Sequence, residues 1–197
     1  MLHGQFIIYR SIDTAQAYGN EEGGGNAIEK CGLPREDLFI TTKIWISNAG
    51  YEKAKASIEE SLKKLKTNYI DLLLIHQPFG DYYGSYRAME EAYKAGKVRA
   101  IGVSNFYPDR HLDLVHFAEI KPAVNQVETH LFQQQKIAKE YMIKNGTQIM
   151  SWEPFAEGKN DYFNTPALKE LEALDGGQSL FFSHYDPQTV EWFMSIV

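Results

Sequence analysis

Ile70-Asp71-Leu72-Leu73-Leu74-Ile75-His76 is the stretch that decides the fold. It is a short apolar run without polar/apolar alternation, the pattern of a strand buried on both faces of a parallel sheet. Five companions lie at about 7–12, 38–42, 98–103, 123–128 and 147–152, rich in Ile, Val, Leu, Phe and Thr. Helical patterns separate them. The clearest runs from Tyr51 to Leu65, with Ala54, Ile58, Leu62 and Leu65 on one stripe and the pairs Glu59–Lys63 and Glu60–Lys64 on the other side. Ala95-Gly96 and Asn145-Gly146 read as helix stops before the next strand.

Strand, helix, strand at this rhythm means α/β. A repeat of roughly 24 to 31 residues fits a (β/α)8 barrel, which takes about 250 residues. The chain has 197, and only six strands can be read from it. The expected class is therefore α/β, derived from the (β/α)8 TIM barrel and incomplete, with about six parallel strands. An open six-stranded sheet and a barrel with pieces missing both satisfy the pattern. After Trp152 only one helix is expected, near Thr165 to Leu174, followed by an aromatic, turn-rich stretch.

Composition narrows the function classes. With 44% apolar and 13% aromatic residues, the chain supports one domain over 1–197 with a real core. A formal charge of −6 argues against a nucleic-acid binder. Cys31 is the single cysteine, so no internal disulfide forms and a reducing cytoplasm fits. No stretch approaches the roughly 18–20 apolar residues of a membrane span. The opening residues carry too short an apolar run for a signal peptide.

The chemistry-bearing residues stand at strand ends. Asp13 closes the first run, with Tyr18 five residues on; Lys43 closes the second and His76 the third. Parallel α/β proteins bind ligands at the carboxyl ends of their strands. Singly, each residue has a bland reading. Asp13 would cap a helix, Lys43 would reach to solvent, His76 would sit in a turn and Tyr18 would pack a loop. At consecutive strand ends they form one set. An unperturbed phenol ionises near ~10. An ammonium beside it favours the phenolate, and a carboxylate holds that ammonium charged and in place. Such parts protonate an oxygen and suit carbonyl reduction, whose hydride must come from a cofactor.

Other motifs carry less. Gly23-Gly24-Gly25 lacks the dinucleotide fingerprint G-x-G-x-x-G and is expected to loosen a helix N-terminus. The six histidines and one cysteine show no metal-ligand spacing, so no metal is expected. His111 and His116 read as surface residues rather than ligands. No serine sits in a G-x-S-x-G elbow.

Several motifs together resemble the aldo-keto reductases, in particular the bacterial branch related to 2,5-diketo-gluconate reductases. They are Ile12-Asp13-Thr14-Ala15 with Tyr18-Gly19-Asn20-Glu21, Thr41-Thr42-Lys43, Leu73-Leu74-Ile75-His76, Gly96 to Phe106, and Pro122-Ala123-Val124-Asn125-Gln126. The resemblance implies NADPH-dependent reduction of aldehydes and ketones by a barrel without a Rossmann fingerprint. It implies Asp13, Tyr18, Lys43 and His76 as the catalytic tetrad, with Tyr18 as proton donor. Ser104, Asn105 and Gln126 match residues that bind the nicotinamide carboxamide. Trp152 matches the aromatic that stacks on the nicotinamide ring, and Trp45 a substrate-pocket aromatic. The tail over 175–197, with Ser179 to His184, resembles the segment that covers the barrel mouth.

The pattern also departs from the family. Residues 1–8 form an atypical start with no counterpart of the opening hairpin, first strand and first helix. The Ile-Pro-Lys-Ser segment that grips the adenosine 2′-phosphate is absent, and from Gly146 onward there is no arginine. Glu153 stands where the family has Gly or Ser, near the expected pyrophosphate. The expectation is a shortened, cytoplasmic reductase that takes a small carbonyl substrate, binds NADPH weakly and can self-associate through open strand edges. The alternative is a truncated non-catalytic relic or binding subunit.

Overall fold

A computed structural model describes residues 10–166, 168 and 169. The atypical start over 1–8 and the tail over 175–197 lie outside the described residues, and the helix expected near Thr165 to Leu174 runs past them. Six strands form one sheet in the order of the chain: β1 (Ser11–Asp13), β2 (Phe39–Ile44), β3 (Ile70–Ile75), β4 (Val98–Ser104), β5 (Val124–Glu128) and β6 (Gln148–Trp152). Between them run α1 (Glu21–Lys30), α2 (Tyr51–Lys64), α3 (Tyr82–Lys94), α4 (Pro108–Phe117) and α5 (Lys136–Lys144). The pairing is parallel from β1 through β5. This is the α/β class with six parallel strands read from the sequence.

The chain forms two compact units. The larger holds residues 10–127 and 136–150. All six residues of β3 are buried, which explains why the run shows no alternation. Ile40, Ile44, Leu73, Ile75, Val98 and Ile101 from the sheet share one core with Ala54, Ile58, Leu62 and Leu65 of the α2 stripe. Glu60 and Lys64 pair at 2.6 Å on the opposite side of α2. Glu59 does not pair with Lys63: its carboxylate takes Lys97, which precedes β4. Gly96 and Gly146 stop α3 and α5 with φ of 74° and 80°, a left-handed backbone that suits glycine.

One reading of the sequence gains a packing reason here and another is corrected. Gly23-Gly24-Gly25 falls in the N-terminal half of α1, as the glycine-rich helix start expects. A Cβ on Gly25 would stand 2.2 Å from the Lys64 carbonyl oxygen, so α1 approaches the end of α2 only because that side chain is missing. His111 is not on the surface. It is fully buried, on the inward stripe of α4 with Leu114 and Val115. Thr147 donates its hydroxyl proton to the Pro122 carbonyl, so it accepts from His111 Nε2–H at 2.9 Å. Burial holds the His111 imidazole below its ordinary pKa.

The smaller unit holds, among the described residues, 128–135 and those from 151 onward. Its aromatic rings meet edge to face, with Tyr162 5.8 Å from Phe132 and 5.6 Å from Phe163. Thr129 N–H donates to the Trp152 carbonyl at 3.4 Å. Among the described residues, no helix is long and apolar enough to cross a membrane.

Candidate active site

Strand register brings the first residues of the site together. Asp13 lies opposite Thr41, and Lys43 opposite Leu74. Side chains alternate along β2. Thr42 points toward α1, where its hydroxyl donates to the buried Glu21 carboxylate at 2.7 Å. Lys43 points the other way. Its ammonium donates to Asp13 Oδ1 and, at 3.0 Å, to the Thr14 carbonyl. The Lys43 side chain is 2% exposed and that of Asp13 34%. A buried ammonium is tolerable only when paired and hydrogen-bonded, and both conditions hold. Asp13 is therefore no helix cap, and Lys43 does not reach to solvent.

Tyr18 ends the 3-10 turn Gln16–Tyr18 that follows β1. Its ring centroid is 5.3 Å from Lys43 Nζ, and the residue is 54% exposed. His76 follows β3, held by its N–H to the Ile44 carbonyl at 3.1 Å. The imidazole stands between two aromatic rings, edge to face: Tyr18 at 5.6 Å and Trp45 at 5.0 Å. Its Nδ1 is buried without a hydrogen-bond partner. Burial, then the Lys43 charge, pull the imidazole down to about 4 against the opposing pull of Asp13. His76 is thus neutral near pH 7, with one N–H to donate and one nitrogen to accept.

A polar group from β4 and β5 adjoins this set. Asn105 takes a left-handed φ of 62°, a conformation asparagine tolerates. Its Nδ2 donates to the His76 carbonyl at 3.0 Å and to Ser104 Oγ at 3.1 Å. Ser104 donates its hydroxyl proton to the Gln126 carbonyl at 2.9 Å. Gln126 Nε2 donates to Asp13 Oδ2 at 2.7 Å. Ser104 and Gln126 are buried. A hydroxyl and two carboxamides here offer both donors and acceptors, the chemistry that complements a primary amide.

Trp152 and Glu153 belong to the smaller unit. Trp152 is half-buried there, at the end of β6. Glu153 has a positive φ of 53°. The neighbouring Glu157 carboxylate, hydrogen-bonded to it, raises the Glu153 carboxyl above its ordinary pKa. Lys159 lowers that of Glu157. Among the described residues, no group of three or more His, Cys, Asp or Glu is arranged to hold a metal ion.

Sequence reasoning missed Gln16. Its amide bonds both to α2 and to the backbone of Trp45. The only signal is a long polar residue between two alanines in Ala15-Gln16-Ala17.

A lysine, a carboxylate and an imidazole at strand ends, with a phenol on the following turn, are parts whose chemistry suits moving a proton to an oxygen. The chain belongs to the aldo/keto reductase family, whose model matches residues 8–173. It is 49% identical over 152 residues to the glyoxal reductase of Bacillus subtilis strain 168, covering 77% of this chain and 55% of that protein. The solved aldo/keto reductase from Brucella melitensis superposes with a TM-score of 0.78 at 37% identity, over 85% of this chain and 65% of that one. A Bombyx mori aldo-keto reductase solved in complex with NADP gives a TM-score of 0.77 at 33% identity, over 85% and 62%. The chain thus spans between about half and two thirds of the length of these relatives.

Proposed function

We propose that this chain carries the catalytic part of a cytoplasmic, NADPH-dependent reductase that converts small aldehydes and ketones to alcohols, with Tyr18 as the proton donor. The observation that carries the reading is the buried Lys43 ammonium, fixed by Asp13 and set beside the Tyr18 ring. As the phenol gives its proton to the substrate oxygen, the ammonium stabilises the phenolate left behind. Asp13 keeps that ammonium charged and oriented. His76, neutral at working pH, donates its single N–H to the same carbonyl oxygen and aligns it with the Tyr18 hydroxyl. Solvent then returns a proton to Tyr18.

Reduction also needs two electrons at the carbonyl carbon. When bound, NADPH supplies them as a hydride. Ser104, Asn105 and Gln126 fit its carboxamide because they combine donors and acceptors beside the tetrad. Trp152 is assigned to stack on the nicotinamide ring, and Trp45 to line the substrate pocket. The name of the Bacillus subtilis relative supports glyoxal as a first substrate to try.

The test is turnover of glyoxal with NADPH by the purified protein and by Tyr18→Phe. Turnover in the first and its loss in the second are expected. NADPH binding without turnover would instead favour a non-catalytic binding subunit.

A further inference from the structure

Gln16 has every hydrogen-bonding position of its side-chain amide in use. Oε1 accepts from the Trp45 backbone N–H at 3.0 Å and from Asn48 Nδ2 at 2.9 Å. Nε2 donates to the Ser57 carbonyl at 3.3 Å and to Ser61 Oγ at 3.1 Å. Two of these partners are backbone groups of opposite character, so the amide can face only one way. Ser57 and Ser61 are buried on α2. Trp45 precedes the 3-10 turn Ile46–Asn48, and Asn48 ends it. Gln16 itself begins the turn that ends in Tyr18.

One side chain therefore joins three pieces: the turn bearing Tyr18, the loop bearing Trp45, and the rigid helix α2. The rings on the first two flank His76 from opposite partners, at 5.6 Å and 5.0 Å. Loops hold side chains less firmly than helices do, and a few buried polar contacts decide how much they move. Among the described residues, Asn48 reaches the Tyr18 turn through this amide.

We propose that Gln16 is a positioning residue for substrate selection: it pins Trp45 against His76 and so sets the width of the pocket beside Tyr18. Its effect on selectivity rests on the reduction reading above; its effect on Trp45 does not. Gln16 touches neither the carbonyl nor the cofactor. Without it, the Trp45 backbone N–H and the Asn48 amide lose their hydrogen bonds to the Tyr18 turn. Trp45 then swings more freely, and bulky aldehydes are excluded less well.

The experiment has two arms. In the first, Trp152→Phe and Trp192→Phe leave Trp45 as the only tryptophan of the three, and acrylamide quenching is measured without cofactor. Gln16→Leu is expected to raise the quenching constant about two-fold. Gln16→Asn keeps the amide but is one methylene too short to span both sides, and is expected to do the same. Gln16→Glu keeps the acceptor for Trp45 N–H but sets a carboxylate oxygen against the Ser57 carbonyl, and is also expected to raise the quenching constant. In the second arm, with all tryptophans in place, kcat/KM is compared for glyoxal and benzaldehyde. Gln16→Leu is expected to cut the preference for glyoxal roughly five-fold, with kcat for glyoxal nearly unchanged. Unchanged quenching in both Gln16→Leu and Gln16→Asn overturns the proposal, as does an unchanged preference in an active Gln16→Leu protein. If the parent protein reduces no aldehyde, the reduction reading falls, and quenching alone decides whether Gln16 positions Trp45.

Discussion

Gln126 Nε2 and Asp13 Oδ2 lie 2.7 Å apart, joining residues 113 positions apart in the chain. The other oxygen of the same carboxylate takes Lys43. One acid thus links the amide group on β5 to the ammonium beside Tyr18. Asp13→Asn keeps the shape but removes the charge that holds Lys43. Breaking a buried pair costs about 3–5 kcal/mol, and the partial exposure of Asp13 reduces that to about 2–3 kcal/mol. Urea unfolding of the variant is expected to show this loss. Under the proposed reading both turnover and NADPH affinity fall together; retention of NADPH affinity would separate the two groups.

Tyr18→Phe tests the proton donor. The ring and its packing on His76 remain, and only the hydroxyl goes. Losing a general acid lowers kcat by about 100- to 10,000-fold. NADPH affinity, read by titration of nicotinamide fluorescence, is expected to stay nearly constant. A rate within a few-fold of the parent would remove Tyr18 from the chemistry.

His76 makes stability depend on pH. Its imidazole is lowered from 6.5 to about 4 in the folded chain. Between these values the unfolded chain binds a proton that the folded chain does not. Stability therefore falls as pH drops from about 6.5 to about 4, and this contribution is constant below that. Because the ring is only half-buried, the loss is discounted to about 1–2 kcal/mol. Buried His111 is also lowered and adds in the same direction. His76→Gln is expected to flatten part of the slope in urea melts across this range. An identical slope in the variant would assign the effect elsewhere.

Gly25→Ala probes the contact of α1 with α2. The new methyl carbon would stand 2.2 Å from a backbone oxygen, which has no rotamer to escape into. Destabilisation of about 2–3 kcal/mol is expected, although alanine is the better helix former. Gly23→Ala meets nothing within 4 Å and is expected to be neutral or stabilising. Thermal melts of the two variants should diverge in sign.

Glu153→Gly tests the expectation that Glu153 stands near the cofactor's pyrophosphate. Glu153 and Glu157 are hydrogen-bonded in the smaller unit, with Lys159 as an opposing charge on the pair. The variant is expected to bind NADPH roughly 3- to 10-fold more tightly at low salt, with the gain shrinking as salt screens it. Isothermal calorimetry at two ionic strengths checks this. No gain at either would place Glu153 away from the phosphates.

The positions of the six strands, the α2 stripe and the glycine stops are legible because each depends on local pattern. An unbroken apolar run such as Ile70 to Ile75 has few other ways to bury itself, and a period of 3.6 is visible within one helix. His111 reads as a surface residue when taken alone, but its i+3 and i+4 neighbours, Leu114 and Val115, put it on the apolar stripe of α4. The Glu59 pair was missed because its partner, Lys97, is a long-range neighbour that no helical spacing predicts.

By itself, the sequence determined the α/β class and the family motifs, and it placed an acid, an amine and an imidazole at the ends of three neighbouring strands. Parallel pairing makes that placement nearly automatic, because each strand delivers its last residues to the same edge. Tertiary structure alone decided how those groups interact. The burial of Lys43, the lowered imidazole of His76, the sharing of Asp13 by Lys43 and Gln126, and the saturated amide of Gln16 are all contacts between distant parts of the chain. Their strength depends on how much water folding removes, and spacing along the chain carries no record of that.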